Sequence, residues 1–209
     1  MRRLLHVLAW AGCALVVVVG CPGAGAATPA QLRHDTLSIS DMPAGWVVDH
    51  SSTSGGTTNS TCFKGFRKSG PHGVETSVAL KRSVGVPALF EKLKTGTGMT
   101  GRVQRLIRAI DQCHSVTITD HGQAFHYRIG RIPFATFGSQ SAAYAVTFSV
   151  QQVQGAIDIV VFQVGSVAGI VGYASIGTPD NAQAYGFVKE AVNKVEGRPH
   201  APPRPDTLA

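Results

Sequence analysis

Apolar and polar positions alternate over Val74 to Arg82. Val74, Thr76, Val78 and Leu80 fall on one side, and Glu75, Ser77, Ala79 and Lys81 on the other. That period of two predicts a half-buried strand. Phe125, Tyr127 and Ile129 alternate in the same way with His126, Arg128 and Gly130. Tyr144, Val146, Phe148 and Val150 alternate with Ala143, Ala145, Thr147 and Ser149. Val116 and Ile118 form a shorter strand that ends at the turn signal Asp120-His121-Gly122. Ala156 to Val164 is a nearly continuous apolar run suited to a central strand, and Gly165-Ser166 turns it into Val167 to Ile176. Connections this short force the last strands into an antiparallel meander.

Helical spacing appears elsewhere. Val103, Leu106, Ile107, Ile110 and Cys113 form one apolar stripe over a helix from Arg102 to Gln112. Ala184, Phe187, Val188, Ala191, Val192 and Val195 mark a second helix, from about Pro179-Asp180 to Val195. Pro87 suits a first helical position, with Leu89, Phe90 and Leu93 as the inner face of a short helix over Ala88 to Lys94. Ser38 and Asp41 fit a capping box around a short turn that seats Trp46 on the core. The expected fold is α+β: a single antiparallel sheet of five to six strands, with about three helices packed on one face. The aromatic strand faces would meet the helices. The small face with Ala143, Ala145, Thr147 and Ser149 would stay open.

The amino terminus decides where such a domain works. Arg2 and Arg3 precede an apolar run from Leu4 to Val19, then Gly20-Cys21-Pro22-Gly23-Ala24-Gly25-Ala26-Ala27. A basic start, an apolar middle and a small-residue end define an export signal over 1–27. Val18-Val19-Gly20-Cys21 resembles a lipobox, which would place a lipid on Cys21. Ala24 and Ala26 equally suit ordinary cleavage after Ala26 or Ala27. Residues 28–36 then read as a tether, 37–196 as one α+β domain, and 197–209 as a disordered, proline-rich tail. The expected location is the outer face of the cell membrane, lipid-anchored, or the exterior.

Export changes the meaning of the cysteines. Cys13 leaves with the signal, and Cys21 is lipidated or removed. Cys62 and Cys113 remain. In an oxidising compartment such a pair reads as a disulfide. The rival, Cys113 with His114 as nucleophile and base, fails because adjacent side chains point apart. Without Arg2 and Arg3, 17 Lys+Arg face 12 Asp+Glu, a mild formal excess of +5. That excess lacks the clustered cations and aromatics of a nucleic-acid binder.

Few motifs carry chemistry. Gly96-Thr97-Gly98-Met99-Thr100-Gly101 is a literal GxGxxG, but a helical reading of Ala88 to Lys94 leaves no strand before it. His114, His121 and His126 lack metal-ligand spacing. No nucleophile elbow, phosphate loop or paired-carboxylate motif occurs. No catalytic residue, cofactor or metal ligand is therefore assigned. His126, Arg128 and Thr147 form a candidate ligand patch. Arg131 would join a cationic site for an anion only if a bulge at Gly130 reversed its parity.

Several pieces together resemble a family. They are Asp41-Met42-Pro43-Ala44-Gly45-Trp46, Cys113 at a helix end, Phe137-Gly138-Ser139-Gln140-Ser141-Ala142-Ala143-Tyr144, and Gln163-Val164-Gly165-Ser166-Val167-Ala168. The chain is similar over residues 35–196 to actinobacterial exported proteins and lipoproteins of the PknH-type extracellular sensor-domain family. The resemblance implies an antiparallel sheet flanked by helices and a cleft for a ligand. It carries over no catalytic residue. That family's domain has two disulfides, whereas one cysteine pair survives here.

The expected function is a non-catalytic, exported cell-envelope binding or sensor-like domain. Its partner would be a small molecule or an envelope protein, not nucleic acid, and acylation of Cys21 would bind it to the membrane. The alternatives are a secreted hydrolase or lipid-handling enzyme built on His121, His126 and hydroxyls, and a structural or antigenic envelope protein.

Overall fold

A computed structural model describes residues 27–50, 73–82, 85–120, 123–150, 153–178 and 180–198. The expected leader, Cys21, Cys62, His121 and the tail beyond 198 lie outside the described residues.

Eight strands form one antiparallel sheet in the order β1-β2-β3-β8-β7-β6-β5-β4. They are β1 (Trp46–Val48), β2 (Val74–Arg82), β3 (Ala88–Thr95), β4 (Ser115–Asp120), β5 (Gln123–Ile132), β6 (Gln140–Val150), β7 (Val153–Val164) and β8 (Val167–Ile176). The helices are α1 (Pro29–Asp35), α2 (Met99–Asp111) and α3 (Asn181–Val195), with a 3-10 turn at Ile39–Asp41. The chain runs β1-β2-β3 as one meander and crosses on α2 to the far edge. It returns through β4 to β8, which closes the sheet against β3.

Four expectations need correction. The sheet has eight strands rather than five or six, because β1 and β3 escaped the pattern. Ala88 to Lys94 is strand, not helix: it pairs with β2 on one side and β8 on the other, which satisfies its backbone groups on both edges. The tether over 28–36 is instead helix α1, opened by a capping box between Thr28 and Gln31 with Pro29 in the first turn, and its Leu32 is wholly buried. Finally, the helices do not share one face.

The two faces have separate cores. Leu80, Leu89, Leu93, Val160, Phe162, Val171 and Tyr173 meet Phe187, Val188 and Ala191 of α3, together with Leu32 of α1. On this face Trp46 and Tyr173 both contact Phe187, with ring centroids 5.3 and 5.6 Å away. Tyr144, Val146, Val161 and Ile129 meet Met99, Val103 and Ile110 of α2 on the other. Strand alternation requires this split, since both parities of β7 and β8 are largely apolar. A doubly apolar strand needs a cover on each side. Ala143, expected on the open face, is buried on the α3 side.

Short turns fix the register. Val164 pairs with Val167 across Gly165-Ser166, and Gly165 adopts φ +53°, which a two-residue hairpin favours. In three adjacent strand pairs a phenylalanine stands directly opposite a glycine: Phe162 and Gly169, Phe148 and Gly155, Phe90 and Gly172. Each ring lies where the missing side chain would be.

Candidate functional site

α3 crosses β7 and β8, and α1 lies on β2 and β3. On the α3 side, the outer half of the sheet, β4 to β6, extends beyond both helices. Arg128 pairs directly with Thr147 of β6 and with Ser115 of β4. His126 pairs with Thr117, and its Nδ1 lies 2.9 Å from the Thr117 hydroxyl oxygen. His126, Arg128 and Thr147 are all exposed. The structure therefore brings the three expected residues onto one strand face. Gly130 opposite Ala145 and Ala156 opposite Thr147 leave the neighbouring floor low. At one end stand Phe134, Phe137 and Tyr185, an aromatic cluster with centroids 5.5 to 6.1 Å apart.

Arg131 does not join this patch. It projects on the α2 side, where its guanidinium bonds Asp111 at 3.2 Å. Asp111 also accepts the Tyr144 hydroxyl at 2.9 Å. Burial, together with that bond to Asp111, pushes the Tyr144 phenol above its ordinary range. Cys113 is buried just past the end of α2.

Sequence reasoning missed a set of buried charges on the α3 side. Lys194 of α3 donates to Asp41 at 2.6 Å, and both side chains are nearly inaccessible. Asp41 also accepts the Ser38 backbone N–H at 2.7 Å and the Ser38 hydroxyl at 2.8 Å. Burial opposes ionisation of Asp41, but these bonds and Lys194 outweigh it and lower the pKa. Glu91, 1% exposed in the middle of β3, accepts the Leu37 N–H at 2.6 Å. Burial pushes its carboxyl up to about 8. Asp158, also 1% exposed, has no hydrogen-bond partner for either carboxylate oxygen among the described residues. Burial, with the charge of Asp180 adding to it, raises it to about 6. One signal was available. Glu91 and Asp158 are acids inside otherwise apolar strand faces, where an acid is rare unless something compensates it.

The GxGxxG run does follow a strand, β3, and does open a helix, α2. Its neighbours still deny it a dinucleotide unit, since β3 is antiparallel to both β2 and β8. Thr100 inside the run is engaged by Gln140 and Gln163. Among the described residues no group of three His, Cys, Asp or Glu could hold a metal ion. No helix among them is long and apolar enough to cross a membrane.

Fold and site together define a three-layer domain: an antiparallel eight-stranded sheet with α1 and α3 on one side and α2 on the other. Among solved structures, the extracellular domain of PknH from Mycobacterium tuberculosis is similar, with a TM-score of 0.60 at 12% identity, covering 84% of this chain and 100% of that one. That likeness is one of fold. No family model and no curated relative matches the sequence.

Proposed function

We propose that this chain is an exported, sensor-like binding domain without catalysis, and that its ligand is an anion held on the open half of the α3-side face. The observation that carries the reading is the register. It sets Arg128 against Thr147, with the His126 ring steadied by Thr117 one pair away. Arginine beside hydroxyls suits carboxylate or phosphate, and a histidine adds charge when protonated. The fold it shares with the extracellular domain of PknH supports an exported role. Cys21 acylation, or release by cleavage after Ala26 or Ala27, belongs to the same proposal, as does a Cys62–Cys113 disulfide.

The test is an NMR titration of the purified chain with inorganic phosphate and with citrate. Amide shifts centred on Thr117, His126, Arg128 and Thr147, lost in Arg128→Ala, support the site. Shifts scattered over the surface, or unchanged in Arg128→Ala, refute it. Intact-mass analysis of the protein from its native envelope reads the state of Cys21 separately.

A further inference from the structure

The buried charges lie outside the proposed ligand patch and gather under one segment. Residues 29–42, comprising α1, an extended link and the 3-10 turn, lie across the sheet over β2 and β3 and against α3. Leu32, Leu37 and Met42 fix this segment by apolar burial. Two polar contacts fix its centre. Lys194 holds Asp41 from α3, and Glu91 holds the Leu37 amide from the sheet.

These two contacts differ in kind. The Asp41–Lys194 pair is compensated, with opposite charges and two further donors from Ser38. Glu91 is not. Its Oε2 accepts one backbone N–H, while Oε1 has no hydrogen-bond partner among the described residues. Val78 and Val171, its cross-strand neighbours on β2 and β8, are apolar. The charged groups that act on it are Lys194 of α3, which favours ionisation as the Leu37 N–H does, and Asp41 of the 3-10 turn and Asp35 of α1, which oppose it. Burial outweighs the two favourable contacts, and the lysine is already committed to Asp41. A neutral carboxyl fits this setting, whereas a carboxylate lacks the donors it needs.

We propose that residues 29–42 form a strap whose central stretch, around Leu37, lifts from the sheet when Glu91 loses its proton, while the Asp41–Lys194 pair stays closed. Ionisation is relieved most cheaply by water. Paired strands close both sides of Glu91, so water enters from the strap side, where Leu37 covers it. The apolar anchors at Leu32 and Met42 keep the strap ends attached, so the change is local. Burial pushes the Glu91 carboxyl up to about 8, so the latch is worked from the alkaline side.

Amide hydrogen exchange on the purified chain, corrected for the intrinsic pH dependence, tests this. Between about pH 6 and about pH 9, protection at Leu37 should fall roughly tenfold or more, while the Asp41 and Met42 amides of the anchored turn and α2 amides from Val103 to Ile110 hold steady. Glu91→Gln keeps an acceptor for Leu37 but cannot ionise, and it should keep the strap protected throughout. Level protection at Leu37 in the parent chain, or the same loss in Glu91→Gln, overturns the proposal. A 13C titration of the Glu91 carboxyl decides the matter without any variant: a midpoint in the ordinary glutamate range also overturns it.

Discussion

Gly169 and Gly172 share a strand and the same local steric problem, yet replacing them by alanine should have very different costs. A methyl on Gly169 would sit 2.6 Å from Phe162 Cε2 and still closer to other ring atoms. A methyl on Gly172 would sit 2.7 Å from Phe90 Cδ1, again with closer ring contacts. In each case the phenyl ring must move. Phe162 is 0% exposed beneath α3, so its ring has nowhere to go, and overpacking of this kind costs about 1–3 kcal/mol. Phe90 is 37% exposed on the α2 side, outside the core that α2 covers, and can swing aside with little loss. Alanine also returns about 0.5–1 kcal/mol over glycine in a strand. Gly169→Ala should therefore lose about 1 kcal/mol net and at most about 2.5 kcal/mol, or roughly 2–10 °C in Tm for a chain of this size. Gly172→Ala should stay within about 0.5 kcal/mol of the parent. Urea unfolding of both variants, and of Gly169→Ala in a Phe162→Ala background, measures this. The ring contact is the cause only if the Gly169 cost disappears in that background. Equal losses at the two glycines would refute the reasoning, because they would show that ring confinement does not matter.

Lys194→Met leaves Asp41 charged and buried with only Ser38 for support, and should cost about 3 kcal/mol by chemical denaturation, with much of it restored by adding Asp41→Asn. Stability should decline from about pH 5 toward about pH 9. Glu91 and Asp158 have folded-state pKa values raised above their unfolded ones, so their contribution is complete below the unfolded values and is lost as pH climbs through about 6 and about 8. Asp41, shifted the other way, should weaken the fold only at strong acidity. Thermal melts across that range check the sign, and a midpoint that rises steadily with pH contradicts it. Cys62→Ser should lower stability by about 2–4 kcal/mol if the two cysteines are bridged, and reduction of the parent should reproduce that loss.

Much of the fold was legible because the sequence pattern and the tertiary environment agree. The carboxy-terminal meander and α2 followed directly from spacing. β3 failed for a reason that the structure makes plain. Its inward positions are Leu89, Glu91, Leu93 and Thr95, and the acid breaks the alternation that would have marked a strand. Leu89, Phe90 and Leu93 then imitate one helical turn. α1 failed differently. A seven-residue helix with one buried leucine has almost no apolar stripe, and only its cap, Thr28 with Pro29 and Gln31, announced it. The layer count failed because apolar residues on both parities of β7 suit a central strand under one helical layer. They are equally the signature of a strand covered by two.

The site divides along the same line. His126, Arg128 and Thr147 could be placed on one face by counting residues, since an antiparallel register preserves parity across β5 and β6. Asp41, Lys194 and Glu91 could not. Lys194 is 153 positions from Asp41, and Leu37 is 54 positions from Glu91. No local period links such pairs, and only the closing of β8 against β3 brings α3 over the strap. The residue that hid β3 from the pattern is also the residue that holds the strap. An acid at an inward strand position is tolerated here because Leu37 supplies a donor and burial keeps it neutral. Breaks in an otherwise regular apolar alternation are thus the places to look for groups whose charge state the fold controls.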